Sequence, residues 1–102
     1  MVKHIVMILL KETEPAGKRN LHALELKKQL ESLKKTVPEL LKLEVGLNFN
    51  KRPSAYDLVL ITEFNSEEDL DKYRNHPAHV EVLKFLKEVT EKTAVVDYEI
   101  NG

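Results

Sequence analysis

Val2-Lys3-His4-Ile5-Val6-Met7-Ile8-Leu9-Leu10-Lys11 opens the chain, and it is apolar in both alternating phases of a strand. Val6, Ile8 and Leu10 form one row and Ile5, Met7 and Leu9 the other, because successive strand side chains point to opposite faces. A strand apolar on both sides must be covered on both sides. The interior of Ala55 to Phe64 repeats the signature, with Val59 and Ile61 in one phase and Tyr56, Leu58 and Leu60 in the other. Two such strands belong in the middle of a sheet.

The segments around them have other periods. Thr13-Glu14-Pro15 breaks the first strand, and Pro15 suits the first turn of a helix. From about Lys18 to Val37, Leu26, Leu30, Leu33 and Val37 recur at helical spacing, with Lys27, Lys28, Lys34 and Lys35 on the wet side. Pro38 marks the end of that helix. Leu43, Val45, Leu47 and Phe49 then alternate with polar residues, which predicts a strand apolar on one face only. Asn50-Lys51-Arg52-Pro53-Ser54 reads as a hairpin-type loop into the second doubly apolar strand. Ser66, with Asp69 three residues on, resembles a capping box and opens a helix bearing Leu70 and Tyr73. His76-Pro77 interrupts it, since the residue before proline is pushed out of helical geometry. A further helical stretch carries Val82, Leu83, Leu86 and Val89. Last, Ala94, Val96, Tyr98 and Ile100 alternate along a mostly one-sided strand.

The order is β-α-β-β-α-β, which predicts an α+β, ferredoxin-like fold with an antiparallel four-stranded sheet. That arrangement puts the first and third strands in the centre and the second and fourth at the edges, in agreement with the burial pattern. Helices cover one face of such a sheet. The other face would be a large apolar patch unless something shields it. A second copy packed sheet to sheet is the simplest shield, so the expectation is a homodimer through the open sheet face.

Composition narrows the function. With 102 residues, the chain is one domain, residues 1–102. It carries 16 basic and 17 acidic residues, without the basic excess typical of a nucleic-acid binder. The run Ile5 to Leu10 is far shorter than the roughly 20 residues of a membrane span. Neither nucleic acid nor membrane is therefore an expected partner. The absence of cysteine removes thiolate metal sites and suits a reducing cytoplasm, the expected location.

Chemistry concentrates in Tyr73-Arg74-Asn75-His76-Pro77-Ala78-His79, which holds two of the four histidines. His79 precedes Leu83 and Leu86 by four and seven residues, so it projects from the apolar face of the last helix. Its plain reading is a histidine at the core edge with one satisfied hydrogen bond; its functional reading is a general acid or base. Tyr73 shares a face with Leu70. It reads plainly as a packed ring with its hydroxyl at the margin, and functionally as a donor to a developing oxyanion. His76 reads first as a residue capping or packing against the helix end. A metal on His76 and His79 lacks a convincing third ligand, since the nearby Glu81 reads as solvated; neither metal nor cofactor is expected. His4 lies in the row of Val6 and Ile8, where a lone histidine is ordinarily a satisfied core residue. Leu40, Leu41 and Phe49 read as core or dimer contacts.

Five segments occur in an order and spacing similar to one known family. They are Met1-Val2-Lys3-His4-Ile5-Val6-Met7, Leu43-Glu44-Val45-Gly46-Leu47-Asn48, Ala55-Tyr56-Asp57-Leu58-Val59-Leu60, Tyr73-x-x-His76-Pro77-x-His79 and Val95-Val96-Asp97-Tyr98. Together they resemble the stress-responsive α/β-barrel domain, Dabb, over essentially the whole chain. The resemblance implies a dimeric α+β barrel. It also implies a pocket between helices and sheet, because plant members include a polyketide cyclase in which the tyrosine and second histidine of this motif do acid–base work. The matching positions are Tyr73 and His79, the candidate catalytic pair. A first-strand histidine also lies in that pocket and matches His4, which with His76 is a candidate ligand contact. The chain departs from the cyclase in its few aromatics: three Phe, three Tyr and no Trp.

Two functions follow as expectations. One is a homodimeric domain that binds a small apolar or amphipathic molecule without catalysis. The other is an acid–base enzyme acting on a carbonyl or polyketide-like compound through Tyr73 and His79. A solvent-open cavity touching Tyr73, His79 and His4 favours the enzyme, and a site packed shut by Leu83 and Leu86 opposes it.

Overall fold

The computed structural model describes residues 1–12 and 18–100, so the predicted break at Thr13-Glu14-Pro15 lies outside the described residues. The elements are β1 (Val2–Leu10), α1 (Lys18–Thr36), β2 (Lys42–Leu47), β3 (Leu58–Phe64), α2 (Glu67–Asn75), α3 (Pro77–Val89) and β4 (Thr90–Glu99). All strand pairs are antiparallel, in the order β2-β3-β1-β4. The two doubly apolar strands are central, as their patterns require.

One phase of the central strands faces the helices. Val2, His4, Ile8 and Leu10 of β1 and Leu58, Leu60, Thr62 and Phe64 of β3 are buried there. Leu26, Leu30 and Leu33 of α1, with Leu70 and Tyr73 of α2 and Val82 and Val89 of α3, close over them into one core. The other phase looks away from the helices. Cross-strand partners share a face, so Ile5, Ile61 and Val96 form one row there and Met7, Val59 and Ala94 the next. Met7 and Val96 are exposed in the protomer. Thus β4 turns its apolar set to the open face, whereas β2 turns Leu43 and Val45 to the helices. Among the described residues, no helix is long and apolar enough to cross a membrane.

Some boundaries shift. β3 starts at Leu58 rather than Ala55, because the Asp57 carboxylate takes the Leu10 N–H at 2.7 Å and replaces the next ladder bond. β2 stops at Leu47, and Asn48 turns the chain by accepting the Asn50 N–H. Phe49 therefore lies beyond the strand, 93% exposed, and is no part of the protomer's core, whereas Leu40 is. β4 begins at Thr90, directly from α3.

The break between α2 and α3 positions the site. Ser66 caps α2, its hydroxyl accepting the Asp69 N–H at 3.2 Å. His76 takes the extended conformation that the following proline demands (φ −65°, ψ 135°), and Pro77 fills the first position of α3.

Candidate functional site

In an unbroken helix, residues six apart point about 240° round from each other. Tyr73 and His79 would then face different neighbours. The break at His76 cancels that rotation: the two rings lie 4.4 Å apart between centroids, tilted by 46°. Phe64 of β3 also packs against Tyr73, at 5.1 Å between centroids. His4, on the buried face of β1, meets Tyr73 edge-on at 6.4 Å. Tyr73, His79 and His4, far apart in sequence, therefore form one cluster between helices and sheet.

Each member has a defined hydrogen-bonding state. The Nδ1 of His79 is 3.0 Å from the carbonyl oxygen of Arg74. A carbonyl can only accept, so Nδ1 carries the proton and Nε2 holds a lone pair. Burial pushes the His79 imidazole below its ordinary value, and the hydrogen bond to Arg74 opposes that push. The Arg74 guanidinium adds to the lowering, as would a proton taken up by His4 or His76. His79 is thus neutral at neutral pH. The Nδ1 of His4 is bonded to the Asp97 carboxylate of β4, directly opposite in the β1–β4 register. Asp97 in turn accepts from the Arg74 guanidinium at 2.6 Å, and Arg74 also reaches Asp71 at 3.0 Å.

Tyr73 is the exception. Its ring is wholly buried, and its hydroxyl has no partner among the described residues. The hydroxyl is not at the margin, where sequence reasoning put it. Burial pushes its pKa up to about 12, so it remains a neutral donor. The arrangement offers one hydrogen-bond donor beside one neutral imidazole with a bare nitrogen, which suits recognition of an oxygen function.

His76 stands apart from this cluster. Its Nδ1 accepts the Ala78 N–H at 3.1 Å and caps α3. Glu81 is exposed and pairs with Lys84. The site is shut in the isolated protomer, with Tyr73 at 0% exposure. A cleft of about 490 Å³ lies against its outer side, lined in part by Leu70, Arg74 and Asp97. A larger polar cleft of about 990 Å³ opens at the far end of β1, between Lys11, Arg19, Arg52 and Asp57, with no histidine in its lining.

Sequence reasoning missed Asp97 and Arg74. Asp97 lies in the polar phase of an edge strand, and only the pairing register brings it opposite His4. Arg74 sits inside the recognised motif, but nothing local distinguishes it from a solvated arginine.

A family model described as the stress responsive A/B barrel domain matches residues 2–100. A dimeric protein of unknown function and ferredoxin-like fold from Bacteroides fragilis is 35% identical, with a TM-score of 0.88, over 97% of this chain and 95% of that one. A Dabb family protein from Mesorhizobium loti is 20% identical, with a TM-score of 0.74, over 99% and 97% of the two chains. A hydroxynitrile lyase from Passiflora edulis is 22% identical, with a TM-score of 0.78, over 98% and 93%. No curated protein matches the chain.

Proposed function

The chain belongs to the stress responsive A/B barrel domain family, and on that premise we propose that it is a homodimeric binding domain for a small amphipathic molecule. The molecule's oxygen function is held by Tyr73. Dimerisation through the open sheet face is supported by the apolar rows of Ile5, Ile61 and Val96 and of Met7, Val59 and Ala94. It is also supported by the dimeric state of the Bacteroides fragilis relative. The cysteine-free chain suits the cytoplasm, where we place it.

One observation carries the binding reading: the buried, unpartnered hydroxyl of Tyr73. Leaving such a group unpaired costs about 1–3 kcal/mol, and an acceptor oxygen on a ligand would remove that cost. Phe64, Leu70 and Val82 in the surrounding core favour an apolar body on the molecule.

The second reading, an acid–base enzyme, is favoured by the state of His79 and opposed by the closure of the site over Tyr73 in the protomer. Its neutral imidazole turns a bare Nε2 away from the Arg74 carbonyl, next to a phenol able to polarise a ketone. The step it implies is proton transfer from the carbon beside the carbonyl to Nε2. The resulting enolate oxygen would be stabilised by the Tyr73 hydroxyl.

A medium-chain methyl ketone, the matching alcohol and the matching alkane serve as probes. The ketone and alcohol should raise the thermal midpoint of the wild type, and Tyr73→Phe should abolish the shift. An equal shift by the alkane, or an undiminished shift in Tyr73→Phe, would overturn the binding reading. The enzyme reading is tested by deuterium uptake beside the ketone carbonyl. It requires exchange faster than buffer that His79→Asn suppresses, and it falls if the rates equal buffer.

A further inference from the structure

Arg74 is linked to both imidazoles, directly to His79 and through Asp97 to His4. Its main-chain carbonyl receives the His79 Nδ1 proton, and its side chain grips Asp97, which holds the Nδ1 of His4. We propose that Arg74 is the positioning residue of this site, setting His4 and His79 in the same tautomer so that each leaves Nε2 unprotonated. The proposal rests on the reading of Tyr73, His79 and His4 as the site.

The ordinary interpretation of Arg74 is a surface ion pair, and such pairs contribute little to stability. Three observations argue for more. The guanidinium is held at two points, by Asp71 at 3.0 Å and by Asp97 at 2.6 Å, so its direction is defined. Asp97 sits on an edge strand with its side chain 31% exposed, where a carboxylate with a single partner is free to turn to water. Its two oxygens are instead divided, one to His4 and one to Arg74. His4 itself is buried, so its ring has no solvent to choose a tautomer for it.

The consequence is a rule for both rings. In water a neutral imidazole favours the proton on Nε2. An acceptor-only partner on Nδ1 reverses that preference. Here the two acceptors, a carboxylate and a carbonyl, are both held or supplied by one residue. Arg74 acts through Asp97 on His4 but through its own backbone on His79. Replacing its side chain therefore affects one ring and spares the other.

That asymmetry is the test. Long-range nitrogen–proton correlation spectra of the ligand-free protein, in mildly alkaline buffer, report which nitrogen of each ring is protonated. Wild type should show Nδ1–H at both His4 and His79. In Arg74→Gln, His79 should keep Nδ1–H while His4 moves to a mixture led by Nε2–H. Arg74→Lys, which keeps the charge without the fork, should fall between the two. An unchanged His4 in Arg74→Gln overturns the proposal, as does a simultaneous change of both rings, which would mark general loosening. No ligand is present in this measurement, so its failure leaves the binding reading standing, and the ketone experiment can fail without touching it.

Discussion

His4 and Asp97 face each other across the β1–β4 pair, and the imidazole Nδ1 is hydrogen-bonded to the carboxylate. The bond joins the first strand of the chain to its last, across 93 residues of sequence. It couples an edge strand, otherwise mostly exposed, to the histidine beside Tyr73.

Loss of that acceptor has a predictable cost. Asp97→Ala leaves a buried ring nitrogen without a partner and should destabilise the protein by about 1–3 kcal/mol. Asp97→Asn keeps an acceptor oxygen and should cost less. Urea unfolding of the two variants checks the order, and a larger loss for asparagine would contradict it.

Tyr73→Phe should act in the opposite direction on the ligand-free protein. It removes an unpaired buried hydroxyl and keeps the ring's contacts with Phe64 and His79. Stability should rise by about 1 kcal/mol or more, within the range such an orphan costs. In alkaline titration of the wild type, one of the three tyrosines should ionise only near pH 12.

His79 should make stability depend on pH. Its folded value is lowered from the ordinary 6.5, so between the two values the unfolded chain binds more protons. Stability is then full above about pH 6.5 and falls as pH drops toward the folded value, by at most about 1.4 kcal/mol per pH unit for one proton. His79→Asn should remove this component of the slope. A slope unchanged in that variant would show that other groups carry it.

His76 offers a separate control on helix geometry. Because its Nδ1 caps α3, His76→Ala should cost about 1 kcal/mol, and His76→Ser, which supplies another capping oxygen, should restore most of it. Thermal unfolding distinguishes the two. Equal losses would mean that the imidazole has a different role.

Met7→Asp tests the open face. Met7 is 42% exposed in the protomer, so the substitution leaves the fold intact while placing a charge in the proposed dimer face. Light scattering should show the mass fall from twice 11.8 kDa to 11.8 kDa. A dimer that survives the substitution would place the interface elsewhere.

The chain's own periodicities determined the element order, the central place of its two doubly apolar strands and the helix break at His76-Pro77. These are local consequences of burial and of proline's geometry, so they are legible without coordinates. The same patterns put Tyr73, His79 and His4 in apolar rows, but the resemblance to a known family is what marked them together as candidates. Whether the phase of Ile5 and Met7 meets the helices or faces away was decided only by the packed fold. So were the depth of the Tyr73 hydroxyl and the placement of Asp97 against His4 and of Arg74 against Asp97. Periodicity records that a face is buried, but the register between strands far apart in sequence comes from closing the whole sheet over its helices. That closure sets Asp97 opposite His4 and Arg74 within reach of Asp97.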